Sequence, residues 1–241
     1  MQDLELSIIL PTYNEGENIL PMIYTLQKVL AGVRKEIMVI DDNSPDKTSE
    51  IVQREFVHDN EVKVVIRYAN RGLANSIREG IEKSCGNIIV VMDTDFNHNP
   101  LDVPALFNIA RYVDIVIGSR YVYGGSMKDR TRYYLSYLYN RFLRIMVGTK
   151  IYDNLCGFFS IRREKMFSLD FDKIFWGYGD YFLRMLLIAQ KNNFKIIEFP
   201  IVYEDRQGGS SKSSQGFYIP ILLKYTREMI KLMIMKYSNK L

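Results

Sequence analysis

Five short apolar runs rich in isoleucine and valine recur through the first 120 residues, at 6–10, 37–40, 62–66, 88–92 and 115–117. Stretches with helical periodicity lie between them, at 17–30, 46–56, 73–83 and 103–110. This alternation constrains the fold more than any other feature. A strand that is apolar on both faces needs cover on both faces, as in a parallel sheet between two helical layers. Strict alternation of strand and helix supplies the crossovers such a sheet requires. The expected class is α/β, with a doubly wound, parallel sheet. The turn at Ser44 and Pro45, followed by Asp46, Ser49 and Glu50, reads as a helix start.

In sheets of this class ligands bind beyond the carboxyl ends of the strands. Those ends carry PTYNE at 11–15, DDNSPD at 41–46, DTDFNH at 93–98 and GSRY at 118–121. Asp93 and Asp95 stand two apart on an extended segment, where side chains point the same way. They can share a hard cation such as Mg²⁺ or Mn²⁺, which takes carboxylate oxygens together with substrate phosphates. Asn97, one further step of two, adds an amide oxygen. Alone, the same pattern also fits a helix cap or a solvated turn; its place after a buried strand, beside three other polar strand ends, favours the cation. Asp41 or Asp42 is placed to accept a hydrogen bond from a nucleobase or ribose, although an Asx turn fits DDNSPD as well. Pro11 stiffens the exit from the first strand, Tyr13 offers a ring to a base, and Glu15 offers an acceptor. Arg120, the pair Arg130 and Arg132, and the pair Arg206 and Lys212 form three basic clusters, and guanidinium forks suit phosphate oxygens.

Other chemistries are disfavoured. The GxGxxG and Walker A patterns are absent, against a dinucleotide-dependent dehydrogenase or a P-loop enzyme. His58 and His98 are the only histidines, which argues against a histidine metal site or a Ser-His-Asp triad. Cys85 and Cys156 are far apart and read as reduced thiols. A net charge of +4 is too small to point to nucleic acid, so no nucleic-acid partner is expected; it suits an anionic ligand or an anionic membrane surface. Asp3 and Glu5 precede the first apolar run, so no signal peptide is expected. No uncharged apolar stretch reaches the roughly 18 residues a membrane span needs.

After residue 120 the pattern changes. Gly124 and Gly125 suggest a flexible loop, and 133–147 is a tyrosine-rich helical run with Arg141 and Arg144. Residues 195–203 read as a strand, 206–215 as a basic loop rich in glycine and serine, and 217–237 as a helix. That helix carries Lys224, Arg227, Glu228 and Lys231 on one face. Ile221, Leu222, Met229, Leu232, Met233 and Tyr237 lie on the other. Docking on the core, on a partner or on a membrane surface all suit it; the tyrosines of 133–147 tilt the reading toward a membrane interface.

Taken in order, several segments resemble the family 2 glycosyltransferases of GT-A fold, and within them the dolichyl-phosphate mannose synthases. They are PTYNE (11–15), VIDDNSPD (39–46), RGL (71–73), VMDTDFNH (91–98), DIVIGSRYVYGG (114–125), the spaced Arg132, Ser136 and Asn140, CGF (156–158) and EFPIVYEDRQGGSSK (198–212). The likeness runs over about residues 5–212, and its specificity lies in the combination. It implies a Rossmann-like, mainly parallel sheet with helices on both faces and C-terminal amphipathic helices. It divides the chain into a catalytic domain, 1–212, and a membrane-facing amphipathic segment, 213–241.

The activity implied is inverting transfer of mannose from GDP-mannose to a polyprenyl phosphate such as dolichyl phosphate. The resemblance puts Pro11, Tyr13, Glu15, Asp41 and Asp42 at the nucleoside, and Asp93, Asp95 and Asn97 at Mg²⁺ or Mn²⁺. It puts Arg120, Arg130, Arg132, Arg206 and Lys212 at the donor and acceptor phosphates, with Asp95, Arg120 and Arg132 nearest the chemistry. It further implies a peripheral place on the cytoplasmic face of a membrane, with room for a small membrane-protein partner. The chain departs from the family pattern at Lys47, Ala74, Cys156 and Arg184; the last two fall near the expected sugar and acceptor side. Two alternatives stand beside this reading: a transferase using a UDP-sugar such as glucose or an amino sugar, and a catalytically silent sugar-nucleotide-binding subunit of a membrane complex. The intact Asp93–Asp95 pair and the basic loop argue against the silent subunit.

Overall fold

The structure is a computed structural model that describes residues 4–177 and 179–204. The basic loop with Arg206 and Lys212 and the helix expected at 217–237 lie outside these residues. The expected alternation is present: β1 (Leu6–Thr12), α1 (Ile19–Val29), β2 (Lys35–Asp41), α2 (Thr48–Glu55), β3 (Val62–Ile66), α3 (Leu73–Lys83), β4 (Ile88–Val91), α4 (Val103–Ala110) and β5 (Ile115–Ser119). A second series follows: β6 (Ser126–Met127), α5 (Arg130–Val147), β7 (Phe159–Arg162), α6 (Arg163–Phe167), α7 (Phe171–Ile174), α8 (Tyr181–Lys191), β8 (Ile196–Pro200) and β9 (Val202–Tyr203).

Seven strands form one sheet in the order β3-β2-β1-β4-β7-β5-β8, and β6 pairs with β9 in a small parallel ribbon. Within the large sheet β7 runs antiparallel to both neighbours, β4 and β5; the other pairings are parallel. Hydrophobicity tracks this order. β2, β4 and β5 are buried throughout, whereas β3 and β8 at the edges are partly exposed. Edge strand β3 carries Lys63, whose ammonium reaches the buried Glu36 at 2.6 Å; a charge there opposes edge-to-edge pairing.

Helices bury one face each. In α1 Ile19, Met22, Ile23 and Leu26 are buried, and in α4 Val103, Leu106, Phe107 and Ala110, the spacing of a core-facing stripe. In α3 the buried face includes Gly80, where a methyl group would meet Ile9 Cγ2 at 2.5 Å. Only a glycine lets α3 lie this close to β1.

Helix α5 differs from the others. Its N-cap Asp129 accepts from the Arg132 backbone N–H at 3.0 Å, so the helix begins three residues before the expected 133. Gly148 ends it in a left-handed conformation, the usual use of glycine there. Leu143 and Val147 pack on Leu183 and Leu187 of α8 in a small cluster of their own. On the other side Leu135, Leu138, Phe142 and Ile145 stay exposed. Among the described residues no helix is long and apolar enough to cross a membrane.

Candidate active site

The turn after β4 is built around Asp95. Its Oδ1 accepts the Asn97 backbone N–H at 3.1 Å, and its Oδ2 accepts the Asn97 side-chain N–H at 2.6 Å. Phe96, between them, has φ 61°, a costly conformation for a residue with a Cβ. The chain accepts that cost where the carboxylate is held. Asp93 leaves the strand with its backbone N–H donated to Nδ1 of His98 at 3.0 Å. That bond fixes the imidazole tautomer: Nδ1 accepts, so Nε2 carries the proton and faces the Cys156 carbonyl oxygen at 3.2 Å. Burial pushes His98 down to about 4, so the ring is neutral at pH 7. It stacks on Phe158 with centroids 5.0 Å apart.

Both imidazole nitrogens are occupied, so His98 braces the turn and is no ligand. The oxygen donors there are two carboxylates, Asp95 nearly buried and Asp93 with a side chain 42% exposed. Hard oxygens of this kind suit Mg²⁺ or Mn²⁺, and one or two carboxylates plus substrate phosphates make a usual Mg²⁺ site. Among the described residues no group of three or more His, Cys, Asp or Glu side chains gathers for a metal. Asn97, expected as a third ligand, here turns its amide N–H onto Asp95 and orients it.

The basic side faces this turn. Arg120, buried at the end of β5, forms a fork with Asp153: Nε donates to Oδ2 and Nη2 to Oδ1, both at 2.7 Å. Its backbone N–H adds a third bond to Asp153 at 3.1 Å. Burial works against the guanidinium charge, and Asp153 outweighs it, holding Arg120 protonated well above its ordinary range. Asp153 is steadied in turn by Glu198 of β8, which accepts its backbone N–H at 3.1 Å.

Tyr203 of β9 sits between the two sides. Arg120 and Arg132 lie over its ring at 5.2 and 5.5 Å, and His98 meets it edge-on at 5.6 Å. Burial raises its phenol, as does nearby Asp93, so it stays neutral. Its backbone is set by the ribbon with β6 and by the adjoining Glu204, whose N–H donates to the Asn97 carbonyl at 3.2 Å. Arg130 is exposed at the start of α5 and Arg132 half-buried. Ser136 bonds the Tyr121 hydroxyl, and Asn140 accepts the Asn154 backbone N–H at 2.8 Å. Ser136 thus fastens α5 to the segment after β5, and Asn140 fastens it to the loop that carries Asp153.

At the ends of β1 and β2 the acidic residues are tied into the protein. Asp41 accepts from Thr12 at 3.1 Å and from the Ser44 backbone N–H at 2.9 Å. Asp42 pairs with Arg67 and accepts from Ser76 at 2.9 Å and from the Gly72 backbone N–H at 2.6 Å. Both shape this end of the cleft. Glu15, also buried, accepts from Asn18 at 2.9 Å. Pro11 lies in β1 opposite Ile40. Tyr13 is partly exposed, with the Arg71 guanidinium 5.2 Å from its ring, and so presents a flat face and a cation together.

Thus Asp93, Asp95, Arg120 and Arg132 converge around Tyr203, while Pro11, Tyr13, Glu15, Asp41 and Asp42 line neighbouring strand ends. Sequence reasoning did not single out Tyr203, Asp153, His98 or Arg71. RGL at 71–73, VMDTDFNH at 91–98 and the EFPIVYED segment contained Arg71, His98 and Tyr203 without giving them these roles, and Asp153 lay in no such segment. The two departures at the acceptor side have packing roles. Arg184 is buried, donates to the Ile174 carbonyl at 2.8 Å, pairs with Asp180 and lies 3.6 Å over the Trp176 ring. The Cys156 thiol is buried, which raises it above its ordinary range and leaves it inert.

A sequence profile described as glycosyl transferase family 2 matches residues 7–168. A dolichol-phosphate mannosyltransferase of Pyrococcus furiosus is 33% identical over 241 residues, 95% of this chain and 64% of that protein. The chain therefore spans just under two thirds of that relative's length. An undecaprenyl-phosphate mannosyltransferase of Micrococcus luteus is 33% identical over 91% of both chains, and a polyprenol monophosphomannose synthase of Mycolicibacterium smegmatis is 30% identical over 86% of this chain and 80% of its own. Among solved structures, glucosyl-3-phosphoglycerate synthase of Mycobacterium tuberculosis, in complex with Mn²⁺, UDP and glucosyl-3-phosphoglycerate, superposes with a TM-score of 0.69. That match is 20% identical and covers 96% of this chain and 79% of the other. At that identity the likeness speaks for the fold.

Proposed function

The chain belongs to glycosyl transferase family 2, with a GT-A-type fold, and we propose on that premise that it transfers mannose from GDP-mannose to a polyprenyl phosphate with inversion at the sugar carbon. The observation that carries the reading is the meeting of opposite charges at Tyr203: two carboxylates after β4 on one side, Arg120 and Arg132 on the other. A nucleotide sugar and a lipid phosphate need this pairing. The relatives named above, polyprenyl-phosphate mannosyltransferases by their names, supply the sugar and the acceptor class.

Asp93 and Asp95 would hold Mg²⁺ or Mn²⁺, which when bound supplies positive charge to the departing diphosphate. Everything else falls to the chain's own residues. Tyr13 would stack on the base, and the Asp41 and Asp42 anchors keep that end of the cleft in shape. Arg132 would hold the acceptor phosphate, with Arg130, Arg206 and Lys212 as further phosphate groups. Arg120, held in a fork by Asp153, would fix the position of the Tyr203 ring. A phosphate monoester is anionic at neutral pH, so its oxygen can attack the sugar carbon directly and no side chain need take a proton. Rate enhancement would come from positioning and preorganised charge. The acceptor's hydrocarbon would put the reaction at a membrane surface, and the cytoplasmic face is part of the proposal.

A ligand panel tests this. GDP-mannose with Mn²⁺ should raise the thermal midpoint more than UDP-sugars, because a ligand specific for the folded state stabilises by about 2.7 kcal/mol at a hundredfold excess over Kd. Chelator should remove that gain and the turnover of polyprenyl phosphate. A UDP-sugar used at higher kcat/KM than GDP-mannose would sink the donor assignment.

A further inference from the structure

The C-terminal half of α5 borders a cleft of about 370 Å³, lined by Tyr137, Arg141, Arg144, Ile145, Thr149 and Tyr152. It contains two arginines and no acidic side chain. Among the described residues no carboxylate pairs with Arg141 or Arg144. The Arg144 guanidinium lies 3.9 Å over the Tyr152 ring, and its buried Nε makes no hydrogen bond. A buried N–H without an acceptor costs free energy that an arriving oxygen would recover. Thr149 gives its hydroxyl to Gln190 at 2.9 Å, so the charged donors left for a ligand are the two guanidinium groups, beside the Tyr137 and Tyr152 phenols.

This cleft is distinct from the catalytic one. Arg132 and Arg144 are twelve residues apart on one helix, about 18 Å at the α-helical rise, so one phosphate cannot reach both. Beside the cleft runs the exposed stripe Leu135, Leu138 and Ile145, the last 73% exposed. Ile145 belongs to both the stripe and the cleft wall.

We propose that this cleft binds the head-group phosphate of an anionic phospholipid, separately from the acceptor phosphate handled near Arg132. Two arginine forks and an unsatisfied N–H call for an anion with several acceptor oxygens. The adjoining aliphatic stripe calls for a hydrocarbon neighbour, which a lipid provides and a free phosphate does not. Basic groups beside an apolar face are how interfacial helices recognise anionic bilayers. The inference rests on the membrane reading above but does not depend on which sugar is transferred. It gives the enzyme a second hold on the bilayer, leaving the first arginine cluster free for substrate.

The test is vesicle flotation of the full chain with phosphatidylglycerol or phosphatidylcholine vesicles. Each basic group near an anionic surface is worth roughly a fivefold change in partition. Arg141→Gln with Arg144→Gln should therefore weaken phosphatidylglycerol binding about 25-fold, with phosphatidylcholine binding and GDP-mannose binding unchanged. Since Arg144 is partly buried, Arg141→Glu, at an exposed position, serves as the variant that keeps the fold and should give a loss of similar size. Variants that partition like the wild type overturn the proposal. So does displacement of the vesicles by millimolar inorganic phosphate, which would assign the cleft to a soluble anion. If Arg141→Glu instead alters protease sensitivity in 205–241 and leaves partition alone, the chain's own segment fills the cleft and the lipid proposal fails. Turnover of polyprenyl phosphate in detergent is measured alongside: a wild type that binds vesicles in this pattern yet transfers no mannose keeps the lipid site and removes the proposed activity.

Discussion

Tyr203 touches both arginines that the site depends on, and the fork beneath it decides what each is for. Arg120 and Asp153 are both buried, and removing one partner of such a pair strands the other charge in low dielectric. Asp153→Asn should cost about 3–5 kcal/mol, read as a lowered urea midpoint. Arg132 is half-buried, with no ion pair among the described residues. Arg132→Ala should change stability by no more than about 0.5 kcal/mol yet raise the KM for polyprenyl phosphate at least tenfold, with donor affinity kept. Equal effects on donor and acceptor would remove its acceptor role. Asp95→Asn tests the cation: the amide oxygen keeps one of the two bonds from Asn97 and the other is lost, about 1 kcal/mol, so the thermal midpoint should fall by about 2–4 °C, while Mn²⁺-dependent nucleotide binding disappears. Asp93 and Asp95, the proposed cation pair, could be singled out in the sequence because their spacing is local and follows an apolar run. Asp153 was not, because its meaning comes from a partner 33 residues away and no spacing rule reaches that far. Asp41 and Asp42 were legible as strand-end acids, but not as groups whose oxygens are engaged by Thr12, Ser44, Arg67, Ser76 and Gly72.

At the scale of elements, the β6–β9 ribbon sets where Tyr203 stands. Gly125 precedes it, and a methyl group there would meet the Ser119 carbonyl oxygen at 2.4 Å. That oxygen belongs to rigid β5, so the ribbon must yield. Gly125→Ala should speed hydrogen exchange of the Ser126 amide, which bonds the Ile201 carbonyl at 3.0 Å, and lower acceptor-dependent turnover at least tenfold. Exchange at wild-type rates would mean that the ribbon does not position the ring. The strands and helices of the first 120 residues could be read from periodicity, since each makes its own apolar pattern. β7 could not. Its four residues, Phe159–Arg162, include Ser160 and Arg162, and it becomes a strand because β4 and β5 hydrogen-bond to it from both sides. The same holds for β6, two residues with no local period at all, whereas β8 and β9 both fall inside the strand read at 195–203, which the structure divides at Ile201.

For the molecule as a whole, α5 joins the chemistry to a surface. Its N-terminal turn brings Arg132 to Tyr203, its inner side rests on α8, and its outer side leaves Leu135, Leu138, Phe142 and Ile145 to solvent. An aliphatic row of this extent on a soluble surface marks a docking face. Under the proposed function a polyprenyl phosphate would bring its head to Arg132 while its tail stayed in hydrocarbon, and the outer side of α5 is the surface that begins at that arginine. The sequence pointed to this run through its tyrosines. Tyr133 and Tyr137, however, pack with Tyr121 at 5.3 and 5.5 Å, and the exposed row is largely aliphatic. Leu138→Glu with Ile145→Glu puts two carboxylates on that row without touching the core. Each aliphatic side chain moved from water into an apolar phase is worth up to about 1.5–3 kcal/mol, so transfer to polyprenyl phosphate in vesicles should fall more than tenfold. The thermal midpoint and GDP-mannose affinity should hold, and transfer to the same acceptor in detergent should fall much less. Equal loss in vesicles and detergent would place the effect in the catalytic cleft and leave α5 without a role at the membrane.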